Sequence, residues 1–291
     1  MDISTVKKTV GVIIIGFKYM DRQIQSTLYD IYRVYDFFKK LGYTCYVLTD
    51  LVDFRFDKNI YNTILKNQVG QQLLNFIDEI KKNPPWYKYT YDFRTLKNNV
   101  QELPSFDLGI AYYSGHGRKR GIELPAGDIL NYAGFKTLIS EKVKLELVMI
   151  MDCCHVHNMG LQYQHESVYL DDKMKSIFRY IGDSDVKNTE YINPTVFILA
   201  SSDINEKSAA NRYASLFTKY LLEYLSMNEQ RSYHSMIEFI RGHIAGHDIN
   251  NKQSVKIYSS ISTISAVPSY LFGNYYIKID DVHKYIKYEK L

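Results

Sequence analysis

Cysteine is scarce in this 291-residue chain, which has three, at positions 45, 153 and 154. An odd, sparse set with two sequence neighbours makes a poor disulfide framework, so a cross-linked secreted scaffold is excluded and a reducing, cytoplasmic compartment is expected. Membrane-length apolar runs are lacking as well. The amino terminus, Met1 to Thr9, is polar and lysine-bearing, and the run Val10 to Ile15 is too short for a signal core or a membrane span, so a soluble protein is expected. Nor does one sign of charge dominate. Thirty-six basic residues face 32 acidic ones, a formal net charge of +4, and they are scattered, so no nucleic-acid or membrane-surface partner is expected. Lys7-Lys8, Lys39-Lys40 and Lys81-Lys82 read as solvated surface. Internal repeats and low-complexity segments are absent from the sequence. No long prodomain, proline-rich arm or zinc finger precedes Val10, so recruitment through such a region is not expected.

What is present suits a large core, with 46% hydrophobic and 14% aromatic residues. Val10 to Ile15 is a continuous β-branched run, as a buried central strand requires. Ile24, Leu28, Ile31, Tyr35, Phe38 and Leu41 recur at helical spacing, and Gly42 stops that helix. A second strand follows at Tyr43 to Leu48. Asp57 is placed to cap a long amphipathic helix through Ile60, Ile64, Val69, Leu73, Ile77 and Ile80, which Pro84-Pro85 ends. Further strands are expected at Leu108–Tyr113, Leu145–Met151, Val196–Ala200 and within Val255–Ile264. Helix-like sequence lies between them at Ile129–Ser140, around Leu216, Tyr220 and Tyr224, and around Met236, Ile237, Ile240 and Ile244. Alternating strands and helices predict one α/β domain over 1–291, with a mostly parallel sheet covered on both faces. Residues 81–104 and 158–193, being polar, are expected to be inserted loops.

Two patches carry chemistry: Tyr113-Ser114-Gly115-His116-Gly117 and Asp152-Cys153-Cys154-His155. Each follows an apolar run of strand length. In parallel α/β sheets, sites form outside the carboxyl ends of the strands, and neighbouring strand ends lie about 5 Å apart. His116 and Cys154 are therefore placed as a base and a nucleophile. The amides of Gly117 and Cys154 are candidates for an oxyanion hole, and the missing Cβ atoms of Gly115 and Gly117 leave room for a substrate backbone. A zinc reading of Cys153, Cys154, His155 and His157 stands beside this one, although structural zinc sites favour ligand pairs two to four residues apart. Cys153 reads as a small core residue.

These residues resemble a known family. The chain is similar to the metacaspases, caspase-fold cysteine peptidases, over most of its length. Val12 to Tyr19 resembles the family's opening strand, Ile24 to Asp30 its Leu-x-Gly-Cys-x-Asn-Asp stretch, and Gly42 to Asp50 the following Gly-Tyr and Leu-Thr-Asp. Asp107 to Gly117 resembles Asp-x-Leu-x-x-x-Tyr-Ser-Gly-His-Gly, and Asp152 to His155 the Asp-Ser/Cys-Cys-His segment. The resemblance implies a caspase-like three-layer sandwich, with His116 as general base and Cys154 as nucleophile. It also implies an acidic pocket for arginine or lysine before the scissile bond, at Asp30, Ser114 and Asp152, with Thr27 where the family usually has cysteine. Paired carboxylates suit a guanidinium. Asp152 ends an apolar run, so a hydrogen-bonding partner for it is expected. Protein or peptide substrates and a monomeric state follow from the same likeness.

Departures from the pattern bear on regulation. Val156 to Gly160 replaces the family's Ser-Gly and acidic residue. Many metacaspases bind calcium through aspartates, yet between Gly117 and Gly160 only Asp128 and Asp152 are aspartates. Calcium needs six to eight oxygens, so no metal and little calcium dependence are expected, with Asp171, Asp172, Asp183 and Asp185 as the remaining sources of ligands. Glu206-Lys207-Ser208-Ala209-Ala210 replaces Gln-x-Ser-Ala-Asp, and Asp171 to Asn193, with Lys173, Lys175, Arg179 and Lys187, is a self-cleavage candidate. An inactive caspase-like binding module is the alternative to an active endopeptidase.

Overall fold

A computed structural model describes residues 6–19, 24–50, 68–82, 87–170, 173–181, 194–210, 214–227, 232–246, 253–261, 271, 276–279 and 286–289. Its elements in chain order are β1 (Val6–Lys7), β2 (Val10–Gly16), α1 (Gln25–Lys40), β3 (Thr44–Thr49), α2 (Gln68–Lys82), β4 (Tyr87–Tyr89) and α3 (Phe93–Gln101). Next come β5 (Phe106–Ser114), β6 (Gly117–Arg118), β7 (Gly121–Glu123), β8 (Ile129–Asn131), α4 (Tyr132–Ser140) and β9 (Val143–Asp152). The remainder are β10 (Tyr163–Leu170), β11 (Lys173–Tyr180), β12 (Thr195–Ala200), α5 (Leu216–Ser226), α6 (Tyr233–Ala245), β13 (Lys256–Ser259), β14 (Tyr276–Ile279) and β15 (Ile286–Glu289).

A nine-stranded sheet in the order β11-β10-β13-β12-β9-β5-β2-β3-β4 forms the centre. The six strands from β12 to β4 run parallel, while β13, β10 and β11 pair antiparallel at the other side. β6-β7-β8 and β1-β14-β15 form small sheets of three. Because side chains alternate along a strand, β2 feeds both faces. Val12 and Ile14 join a core with Leu28, Ile31, Phe76, Phe217 and Ile240, from α1, α2, α5 and α6. Ile13 and Ile15 join a second core with Leu96, Val100, Phe135 and Ile139, from α3 and α4. Three layers result, as the alternation of strands and helices predicts. Burial of such isoleucines contributes roughly 1.5–3 kcal/mol each.

Most element ends differ from the sequence reading by a residue or two, but the helix expected from Ile129 begins only at Tyr132, because residues 129–131 pair with β7 as β8 and Asn131 caps the helix. Gly42 ends α1 at φ 82°, a conformation that favours glycine. Asp57, Ile60 and Ile64 lie outside the described residues, so the amino-terminal part of the expected second helix is not covered; α2 carries its remainder. Two expected loops are corrected. Within 81–104 stand β4, which extends the sheet by pairing with β3, and α3. The cap of α3 explains it: Asp92 accepts the Thr95 N–H at 2.7 Å, while Thr95 Oγ1 accepts the Asp92 N–H at 3.0 Å, a reciprocal capping box. Within 158–193, β10 and β11 form a hairpin whose first strand also pairs with β13. Backbone pairing along a sheet edge makes these polar residues strands.

Candidate active site

β5 and β9 are hydrogen-bonded neighbours, and Ser114 at the end of one is the register partner of Asp152 at the end of the other. Two residues beyond each stand His116 and Cys154, both half-buried. Gly117 packs against the chain between them: a Cβ at this position would overlap the carbonyl oxygen of Cys154. At Gly115 a Cβ would lie 2.7 Å from the hydroxyls of both Tyr19 and Tyr113. The space beside these glycines is thus filled by the protein itself, which corrects the expectation that it is left for substrate backbone.

Each strand end is held from its own side. The Tyr19 hydroxyl accepts the His116 N–H at 2.8 Å, and the Tyr113 hydroxyl donates to the His116 carbonyl at 3.0 Å. Opposite, the Tyr132 hydroxyl donates to the Cys154 carbonyl at 3.2 Å. Ser201 Oγ and Ser202 Oγ both donate to the Cys153 carbonyl, at 3.1 and 2.9 Å. Burial raises all three phenols above the usual tyrosine range, so they remain neutral donors and acceptors. The Cys154 sulfur receives the backbone N–H of Ser208 at 3.4 Å. Cys153 points into the core at 2% exposure, and burial pushes its thiol well up; it is a packing residue. His155, at φ 60°, is fixed outward by its N–H on the Glu206 carbonyl and its Nδ1 within 2.9 Å of the Ile204 carbonyl.

The four residues expected to form a pocket come together beneath the cysteine, and all are buried. Ser114 Oγ donates to Thr27 Oγ1 at 3.3 Å. Both carboxylate oxygens of Asp30 accept the Ser215 N–H, at 3.1 Å. Asp152 accepts from Thr218 Oγ1 at 2.5 Å and from Ser208 Oγ at 2.9 Å, which supplies the partner its apolar setting demands. Thr218 is in turn within 2.8 Å of the Tyr112 hydroxyl. Burial raises the pKa of Asp30 well above the carboxylate range, and the neighbouring charge of Asp152 raises it further. Asp152 is raised by burial, against the pull of its hydroxyl donors. Among the described residues neither carboxylate is in an ion pair. Burial and the proximity of the two acids thus both oppose their simultaneous ionisation.

A loop after β12 closes the site, and one side chain anchors it. Gln253 accepts the Ala209 N–H at 2.9 Å and donates to the Ser201 carbonyl at 2.7 Å. Glu206 accepts from the N–H and hydroxyl of Ser254, at 2.6 and 2.7 Å. Where the resemblance places an aspartate, Ala210 instead bridges to Ser215 through backbone. Tyr19, Tyr132, Ser215, Thr218 and Gln253 were not legible as site residues, because each acts through the shape of the chain rather than through a motif.

No group of three or more His, Cys, Asp or Glu among the described residues is arranged to hold a metal ion. Asp128 accepts the Phe93 N–H at 3.5 Å, and Asp152 is bonded to Thr218 and Ser208. Asp171, Asp172, Asp183 and Asp185 lie outside the described residues, as does Lys187. No described helix is long and apolar enough to cross a membrane.

Comparison with known proteins agrees with this architecture. A search of curated proteins gives no match. Among solved structures, protein GSU0716 from Geobacter sulfurreducens is similar in fold, with 12% identity and a TM-score of 0.50, over 91% of this chain and 99% of that one. Caspase-1 from Spodoptera frugiperda aligns with 12% identity and a TM-score of 0.47, over 94% of this chain and 93% of the other. The family description "Caspase domain" matches residues 10–265. With that match spanning most of its length, the chain belongs to the caspase-domain family of cysteine-type peptidases.

Proposed function

We propose that this protein is an active endopeptidase of the metacaspase type that cuts after arginine or lysine, with Cys154 as nucleophile and His116 as general base. The observation that carries the reading is the pairing of Ser114 with Asp152, which sets the imidazole and the thiol on adjacent strand ends. In this mechanism His116 takes the Cys154 proton, the thiolate attacks the scissile carbonyl, and the oxyanion is met by the amides of Gly117 and Cys154. Collapse of that intermediate breaks the C–N bond, with His116 protonating the leaving amine. Water then releases the acyl group and restores the thiol.

Specificity follows from the buried acid pair. A guanidinium or ammonium entering between Asp30 and Asp152 offsets their mutual repulsion, whereas an aspartyl side chain adds a third like charge. Ser114 and Thr27 line the same pocket. The protein acts without calcium and as a monomer in this reading. Hydrolysis of arginyl, lysyl and aspartyl reporter peptides by the wild type and Cys154→Ala tests the reading. Cleavage of the first two, lost in the variant, is expected; no cleavage by wild type sinks the enzyme in favour of a binding module, and preference for aspartate sinks the pocket.

A further inference from the structure

We infer that Tyr19 is a positioning residue for the His116 imidazole, and that Asp50 holds Tyr19 in place to do so. The inference rests on the reading of His116 as the general base. Tyr19 follows β2 and has φ 60°, a left-handed conformation that a bulky aromatic residue rarely adopts. Asp50, directly after the end of β3, stabilises that turn. Its Oδ1 accepts the Lys18 N–H and its Oδ2 the Tyr19 N–H, both at 2.8 Å. The turn sends the Tyr19 side chain back over the end of β5, where it is 2% exposed.

Three contacts then converge on one residue. The Tyr19 ring lies against the His116 ring, with centroids 4.5 Å apart. Its hydroxyl accepts the His116 N–H at 2.8 Å and donates a hydrogen bond to the Glu123 carbonyl at 2.7 Å. Tyr113, whose hydroxyl is 3.2 Å from that of Tyr19, donates to the His116 carbonyl. Both backbone groups of His116 are thereby tied to phenols, and the imidazole is backed by one of their rings. Gly115 is required for this convergence, since a Cβ there meets both hydroxyls. Because buried phenols stay neutral across the working pH range, the clamp does not titrate with the base it supports.

Geometry of a general base matters steeply, and a displacement of about 1 Å can cost on the order of 100-fold in rate. Tyr19→Phe keeps the ring and deletes the acceptor for the His116 N–H. It is expected to lower kcat on an arginyl reporter peptide by roughly 10- to 100-fold with KM within about twofold, and to move the pH profile of Cys154 alkylation by iodoacetamide. In a His116→Ala background the same substitution is expected to add nothing, as two residues acting through one group should. Asp50→Asn, which weakens the turn but leaves the ring, is expected to change kcat in the same direction, and it stands in should Tyr19→Phe fail to fold. Wild-type kcat and alkylation profile in both variants, or an undiminished Tyr19→Phe effect without His116, would overturn the inference. If the wild type cleaves no peptide, the peptidase reading fails separately. The His116 ring resonances by NMR then decide positioning: unchanged shifts in Tyr19→Phe overturn it, and displaced ones support it.

Discussion

Ser114 and Asp152 are register partners at the carboxyl ends of β5 and β9, so whatever follows them by two residues, His116 on one side and Cys154 on the other, is delivered to the same place. Replacing either member therefore tests one arrangement. Cys154→Ala is expected to abolish peptide cleavage. His116→Ala is expected to lower kcat by about 10²–10⁴, with the fold intact by circular dichroism.

Ligand binding by the acid pair has a definite pH sign. Asp30 and Asp152 are raised above the ordinary carboxylate range, and only their ionised forms attract a cation. Affinity for an arginine-mimicking competitive inhibitor is thus expected to be full above that raised range and to fall as pH drops through it. Inhibition constants measured across pH check this, and Asp30→Asn should flatten the curve while weakening binding.

Stability carries the opposite sign. A group whose folded-state pKa is raised contributes stability that is present below its unfolded value and is lost as pH rises through the folded one. Removing one of two buried like charges relieves that loss. The Tm of Asp30→Asn relative to wild type is expected to rise as pH increases above the ordinary carboxylate range, even as activity on basic substrates falls. A constant or shrinking difference would count against the buried, mutually repelling pair.

Gly117 allows a closer approach than any side chain would. Gly117→Ala places a methyl group on the Cys154 carbonyl, which is backbone and cannot swing away. Overpacking of this kind costs typically about 1–3 kcal/mol. A lowered Tm together with at least a tenfold loss of kcat is expected, and retention of both would show that β6 and the Cys154 turn can separate freely.

Much of the fold was legible because β2, β5, β9 and β12 are apolar runs between helices of 3.6 periodicity. The edges were not. β4 is a three-residue edge strand with no alternation to read, and α3 buries only Leu96 and Val100. Its capping residues Asp92 and Thr95 were a usable signal in an otherwise polar stretch. The β10–β11 hairpin gains its form from pairing rather than from composition. In the site, the motif residues were visible as residue types at strand ends. Tyr19 was not, since its contribution depends on a positive φ and on a carboxylate 31 residues away.

Calcium and chelator supply a further check. With only Asp128 and Asp152 as aspartates between Gly117 and Gly160, peptide cleavage is expected to change by less than about twofold between excess chelator and added calcium. Large activation by calcium would place its ligands among the downstream aspartates, beginning with Asp171 and Asp172.

Ser208 presents its backbone N–H to the Cys154 sulfur and its hydroxyl to Asp152, from a single residue that Gln253 also contacts at 3.4 Å. On the proposed reading, recognition and reactivity would share a hinge point: a side chain that draws Asp152 toward itself would also pull on the residue in contact with the sulfur, so a poor fit in the pocket is expected to be felt as a slower reaction as well as a weaker grip.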